Sequence, residues 1–265
     1  MNKNQTNDTK MEKTDFKTVI CDKKCNEDRY FKALIQDLTG RGIRVVFFEE
    51  HIPGSLRPGE CLCICAGQES VKYAQKEDIA YVSYKYASFG AQCEIEGFDE
   101  VDADFIIKMY QRKHGKPWVI TRTERLIIRE FTTEDDYEIF PEMAGVPDYT
   151  EQYIKNIYGF FGYGIWAVVK KDSSKVIGRA GLMNSERTDG IELGYEIAYE
   201  YRNRGYATEA CRSIMTVARD YYGIEKLYAF TAKDNKASLR VLDKLGFTDS
   251  PDLKKDGIFG KMVKM

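Results

Sequence analysis

Apolar and polar positions change their spacing along the chain, and the spacing marks out elements. Lys17–Asp22 (KTVICD), Ile43–Phe48, Cys61–Ala66 and Ile79–Tyr84 are short, mainly apolar runs, the pattern of strands. Between them, Asn26–Thr39 carries Phe31, Leu34, Ile35 and Leu38 at helical spacing, with Gly40 and Gly42 to stop it. Helices are expected at Glu69–Lys76 and Asp102–Arg112. Strands alternating with helices predict a small, mainly parallel α/β layer. His114-Gly115-Lys116-Pro117-Trp118 then breaks the pattern and is read as a domain boundary.

A different rhythm follows. Val119–Glu130 reads as an extended run with Leu126–Arg129 as its core, and Thr132 or Thr133 can cap a following helix. A second helix is expected over Asp148–Phe161. Ile165–Lys170 and Lys175–Met183 form a hairpin across Asp172-Ser173-Ser174, and Gly190–Ala198 is a third strand. Tyr199–Gly205 is a polar turn, and Ala207, Ala210, Ile214, Val217, Ala218 and Tyr221 define one face of a long helix ended by Gly223. Lys226–Thr231 is the next strand, and Asn235–Leu245 a last helix closed by Gly246.

Composition sets bounds on this picture. The 265 residues suit one large domain or two modest ones. Charged residues make up 31% with a formal net charge of −2, so no global field favours nucleic acid or an anionic membrane. No apolar run approaches the ~20 residues of a membrane span. Residues 1–14 are polar, without the apolar core of a secretion signal, and read as a disordered tail; the cytoplasm is the expected location. Six of the seven cysteines lie before residue 94, and Cys61, Cys63 and Cys65 alternate on one strand face. Their spacing lacks the paired knuckles of structural zinc, so reduced core thiols and no metal are expected.

Candidate chemistry gathers in Arg202-Asn203-Arg204-Gly205-Tyr206-Ala207. The first N–H groups of a helix lack internal partners and sit at the positive end of its dipole, so a glycine-led helix mouth binds anions, with two arginines adding charge. A pyrophosphate suits it; a plain surface turn with solvated arginines is the alternative. The order Arg-x-x-Gly-x-Ala, then Asn235-x-x-Ser238, then Leu245-Gly246-Phe247, with Thr123-Glu124-Arg125-Leu126-Ile127-Ile128-Arg129 as opening strand, resembles the GCN5-related N-acetyltransferase (GNAT) family. The branch it is most similar to includes the ribosomal-protein alanine acetyltransferases. The resemblance covers about residue 120 to the C-terminus.

The resemblance implies an acetyl-CoA-dependent N-acetyltransferase with a mixed-sheet α+β fold over residues 119–265. It implies that Tyr195–Ala198 runs beside the pantetheine arm, with Ile197 and Ala198 in contact with the cofactor and an N–H near Ile197 polarising the thioester carbonyl. The diphosphate would rest on backbone from Arg204, Gly205, Tyr206, Ala207 and Thr208, with Arg202 adding charge. Asn235 matches the family asparagine that bonds the cofactor arm; it is also a favoured N-cap. Many members carry a tyrosine near the cofactor sulfur where this chain has Leu242, so Ser238 and Tyr195 become the proton donors to consider. Glu192, with Glu196 behind it, is the expected base. The two share a face in an ideal strand, unless a bulge of the kind the family often has intervenes. Aromatics and glycines over Tyr158–Gly164 suit either a pocket wall or plain packing. The amine acceptor is left open between a protein N-terminus and a small amine, and a non-catalytic acyl-CoA-binding module is the alternative function.

In the first half (residues 15–116), the segment Cys63–Tyr84 is similar in rhythm to the end of a haloacid-dehalogenase-like core, which implies a small Rossmann-like α/β domain. The catalytic carboxylates are missing: Asp22 is followed by Lys23-Lys24, and Ala66-Gly67-Gln68 stands where an acidic pair belongs. The expectation is a degenerate, non-catalytic domain.

Overall fold

The computed structural model describes residues 15–48, 56–86, 90–135, 153, 157–158, 162–250, 253 and 258–265. The chain divides into two compact units, Met1–His114 and Gly115–Met265. The polar tail of residues 1–14 lies outside the described residues, as does most of the helix expected over Asp148–Phe161.

In the first unit β1 (Thr18–Cys21), β2 (Arg44–Phe47), β3 (Cys61–Cys65), β4 (Ala80–Tyr84) and β5 (Cys93–Ile95) form one sheet in the order β2-β1-β3-β4-β5. Every neighbouring pair is parallel. Helices α1 (Phe31–Gly40), α2 (Gln68–Lys76) and α3 (Ala103–Lys113) accompany it. Each residue of β1, β3 and β4 is buried, which is why these strands read as unbroken apolar runs rather than alternating ones. Cys61, Cys63 and Cys65 share the face packed on Val71 and Ala74 of α2. Burial raises the Cys21 thiol well above its usual value, and the bond to Cys65, with burial, does the same for Cys63. Among the described residues none of the seven cysteines is in a disulfide, and no group of His, Cys, Asp and Glu is placed to hold a metal. The strand β5 escapes sequence reading because three residues, only one of them buried, carry no period.

Among the described residues of the second unit, eight strands order as β12-β13-β11-β10-β9-β8-β7-β6. They are β6 (Val119–Arg122), β7 (Leu126–Arg129), β8 (Ile165–Lys170), β9 (Val176–Asn184), β10 (Ile191–Ile197), β11 (Lys226–Ala232), β12 (Thr248–Asp249) and β13 (Ile258–Lys264). All neighbours are antiparallel except β10 and β11. The run Val119–Glu130 is thus two strands, folded back on each other across Thr123–Arg125. Helix α4 (Tyr206–Asp220) lays Tyr206, Ala210, Ile214 and Ala218 on a core with Leu126, Trp166, Val168, Leu182 and Leu193. Tyr221, expected on that buried face, lies beyond the last helical residue and is 72% exposed. Helix α5 (Lys236–Lys244) adds Leu242 to the same core.

Candidate active site

The parallel pair β10 and β11 is the irregularity that makes a site. The two strands meet only at Ile191–Leu227 and Glu192–Tyr228. Past that point they diverge, and Leu193–Ile197 has no strand partner on that edge among the described residues. On the other edge, β10 pairs with β9 in unbroken register from Ile191–Asn184 to Ile197–Gly178. Ala198 N–H donates to the Ile177 carbonyl at 3.0 Å. Antiparallel partners exchange bonds at every second residue. Hence Gly194, Glu196 and Ala198 face β9, whereas the Leu193 carbonyl and the backbone of Tyr195 and Ile197 open into the fork; the parallel pair Glu192–Tyr228 uses the Leu193 N–H. Of the pair Ile197 and Ala198, only Ile197 presents its N–H there. The strand carries no bulge in this stretch, so Glu192 and Glu196 do share a face.

The turn that follows sits at the end of this fork. Gly205 is the N-cap of α4 at φ 83°, ψ 0°, and Asn203 is also left-handed at φ 61°. The first helical bond runs from Glu209 N–H to the Gly205 carbonyl at 3.0 Å. The N–H groups of Tyr206, Ala207 and Thr208 have no backbone partner among the described residues, as the first turn of a helix requires. Arg204 and Arg202 are exposed. Arg202 is more than a free charge: its Nε donates to the Ile197 carbonyl at 2.8 Å and so ties the turn to the end of β10.

The residues expected to move protons converge from two elements. Tyr195 lies on the helix-facing side of β10, and its hydroxyl is 2.8 Å from Ser238 Oγ and 3.2 Å from the Ser238 carbonyl. A phenol from the strand therefore sits over α5, whose own Leu242 is fully buried. Burial raises the Tyr195 hydroxyl to about 12, against a smaller lowering by Ser238, so it is protonated at neutral pH. Asn235 caps α5, its Oδ1 accepting from Ser238 N–H at 3.0 Å, which leaves the amide NH₂ as a donor. Glu192 stands at the crotch of the fork, half-buried. Burial pushes its carboxyl above the usual range despite the 3.3 Å bond from Ser185 Oγ. Glu196 is occupied differently: Arg179 donates to its Oε2 from Nη2 at 2.8 Å and Nε at 3.1 Å.

A cavity of about 320 Å³ adjoins β10, lined by Phe131, Tyr153, Ile165, Met183, Gly194, Tyr195 and the Arg179–Glu196 pair. Of the aromatic stretch, Tyr158 belongs to the core: it is 1% exposed and its hydroxyl donates to the Ile165 carbonyl. Phe160 and Phe161 lie outside the described residues. The pairing of two site neighbours carries no signal in the linear sequence. Arg125 and Glu209, 84 residues apart, form a bidentate pair against the turn, and only the three-dimensional fold brings them together.

A family model for the GNAT acetyltransferase domain matches residues 125–248. The uncharacterized N-acetyltransferase YoaA of Bacillus subtilis (strain 168) is 30% identical over 145 residues, 48% of this chain and 82% of that protein. The chain belongs to the GNAT acetyltransferase family. Another relative from the same organism, the uncharacterized N-acetyltransferase YjdG, is 31% identical over 103 residues, 38% of this chain; the GNAT chain spans 61% of YjdG's length. Among solved structures, the ribosomal-protein-S5-alanine acetyltransferase from Vibrio fischeri aligns at 16% identity and a TM-score of 0.42, over 54% of this chain and 95% of that one. Acetyl-CoA is the acyl donor of the GNAT family, and an open strand edge leading to a helix mouth of free N–H groups fits its pantetheine arm and diphosphate. That fit spans only the second unit.

In the first unit, Asp22 does structural work. Its carboxylate accepts from Lys24 N–H at 3.1 Å and from Ser70 Oγ at 3.0 Å, capping the turn after β1 and anchoring α2.

Proposed function

We propose that the second unit transfers the acetyl group of acetyl-CoA to a primary amine by direct attack in a ternary complex. The observation that carries this reading is the fork between β10 and β11 opening onto the free N–H groups of α4. The pantetheine amides would extend β10 through Leu193, Tyr195 and Ile197 as an added strand. The Ile197 N–H would polarise the thioester carbonyl, and Tyr206, Ala207 and Thr208 would hold the diphosphate with charge from Arg202 and Arg204. Attack by the neutral amine on the thioester carbon forms the new C–N bond. Collapse of the tetrahedral species breaks the C–S bond and releases thiolate.

Tyr195, neutral and close to Ser238, is the group we assign to protonate that thiolate. It stands in for the tyrosine that Leu242 replaces. Glu192 is the base, since burial raises its affinity for the amine proton and Glu196 is committed to Arg179. Much of the acceleration would come from holding the two reactants in line. We place the enzyme in the branch similar to the ribosomal-protein alanine acetyltransferases on the strength of Asn235-x-x-Ser238 and Leu245-Gly246-Phe247. A protein N-terminus and a small amine are both acceptors of the right chemistry. The first unit is read as a degenerate Rossmann-like domain without phosphatase activity.

The test is thiol release from acetyl-CoA with a panel of N-terminal peptides, polyamines, amino sugars and amino acids. Acceptor-dependent release establishes the transferase. Tight CoA binding without release from any acceptor favours the alternative, a non-catalytic acyl-CoA-binding module, for which the absent helix tyrosine speaks.

A further inference from the structure

The segment Thr123-Glu124-Arg125 marks the opening of the GNAT domain in sequence, but its side chains work at the other end of the site. The tight connection between β6 and β7 delivers three donors to one carboxylate. Thr123 Oγ1 donates to Glu209 Oε1 at 2.5 Å, Arg125 N–H donates to the same oxygen at 3.0 Å, and Arg125 Nε donates to Oε2 at 2.7 Å. Arg125 Nη1 goes further and donates to the Arg204 carbonyl at 3.0 Å. Its guanidinium carbon lies 4.5 Å from the centroid of the Tyr206 ring. A Cβ built on Gly205 would come within 3.5 Å of Nη2. One side chain therefore touches or flanks the residues of the helix mouth on both sides of Gly205.

Two physical problems are met by this arrangement. A turn with left-handed residues at Asn203 and Gly205 has many alternative shapes, and pinning the Arg204 carbonyl between them selects one before any ligand arrives. The second problem is charge. Glu209 is in the first turn of α4, where a carboxylate favours the helix dipole but repels an anion bound at the same N-terminus. Burial works against this carboxylate, yet the bonds from Thr123 and Arg125 keep it ionised and below the usual range, with its charge matched by the guanidinium.

We propose that Arg125 is a positioning residue for the diphosphate of acetyl-CoA, fixing the Arg204 carbonyl and neutralising Glu209 beside the open N–H groups. This rests on the reading of that turn as the diphosphate cradle. The test compares CoA with pantetheine, which lacks the diphosphate, on the full-length chain. CoA binding is measured by calorimetry and pantetheine binding by NMR titration. Arg125→Gln should weaken CoA by about tenfold to a hundredfold, the range for a charged hydrogen-bonding partner, and leave pantetheine within about twofold. Adding Glu209→Gln to that variant should recover part of the CoA affinity, because the stranded carboxylate is gone. Arg125→Lys, which keeps the charge but not the fork of donors, should fall between.

Equal losses for CoA and pantetheine would reduce Arg125 to a general structural role, and an unchanged CoA affinity would overturn the proposal outright. If Arg125→Gln does not fold, Glu209→Gln alone decides: CoA affinity at or above wild type supports the assignment, and a drop overturns it. Wild-type protein that binds CoA no better than pantetheine would instead refute the cradle itself.

Discussion

Replacing Gly205 probes the helix mouth most directly. At φ 83° the residue is in the left-handed region, where an L side chain costs about 1–2 kcal/mol. The nearest atom to an added Cβ is Arg125 Nη2 at 3.5 Å, which is ordinary contact. Alanine therefore meets the backbone penalty and little else. For a unit of about 150 residues this amounts to a fall in Tm of about 2–8 °C. Valine adds γ-carbons that displace the guanidinium from the Arg204 carbonyl, so both the turn and its clamp are lost. Its CoA affinity should fall by more than about tenfold, or about 1.4 kcal/mol. Asparagine tolerates left-handed backbone and should be the mildest of the three. The assay is calorimetry with CoA on variants whose melting curves show a folded unit. A folded Gly205→Val with wild-type affinity would refute the cradle, and Asn as harmful as Val would show that φ is not the cause.

Tyr195→Phe should lower kcat by about 10²–10⁴-fold, the range for a general acid, with little change in the KM for acetyl-CoA; a loss of only about 1 kcal/mol of stability with kcat intact would leave the hydroxyl a packing bond. Since burial raises that phenol to about 12, its contribution to stability is complete below pH ~10 and lost as the pH climbs through about 12, a loss the Phe variant should not show in alkaline melts. Arg202→Ala should raise the KM for acetyl-CoA and also depress kcat, because its Nε holds the Ile197 carbonyl at the end of β10; a pure KM effect would mean that only its charge matters. For Glu192 the raised carboxyl places the acid limb of the rate profile above the ordinary carboxylate range, and Glu192→Gln should abolish that limb. The folded-state shift also means that its stabilising share is present below the unfolded value and lost as pH rises, so Glu192→Gln should melt no lower than wild type at pH 7.

Much of the GNAT domain was legible in its residues, for local reasons. Gly205 after two arginines, the period from Ala207 to Ala218 and the alternation of Ile191, Leu193, Tyr195 and Ile197 along β10 each declare their element within a few positions. The division of Val119–Glu130 into two strands was hidden because Thr123-Glu124-Arg125 turns without glycine or proline. Strand β13 was missed as well; its burial is patchy, so no two-residue period emerges. Tyr195 and Ser238 were each named for their type, but their 2.8 Å approach spans 43 residues and depends on how α5 docks. The Arg125–Glu209 pair is the strongest case: both residues look like solvated charges until the β6–β7 turn is packed against α4.

The divergence of β10 from β11 has a consequence for how the sheet behaves without its ligand. Edges normally lie at the margins of a sheet; here one is placed near the middle. Backbone amides of β10 should then show an odd–even pattern in hydrogen exchange. Gly194 and Glu196, bonded to β9, would be slow, whereas Tyr195 and Ile197 would be fast. The sheet amounts to two half-sheets joined at Ile191–Leu227 and Glu192–Tyr228. A ligand strand laid into the gap would erase the odd–even contrast and make the halves one body.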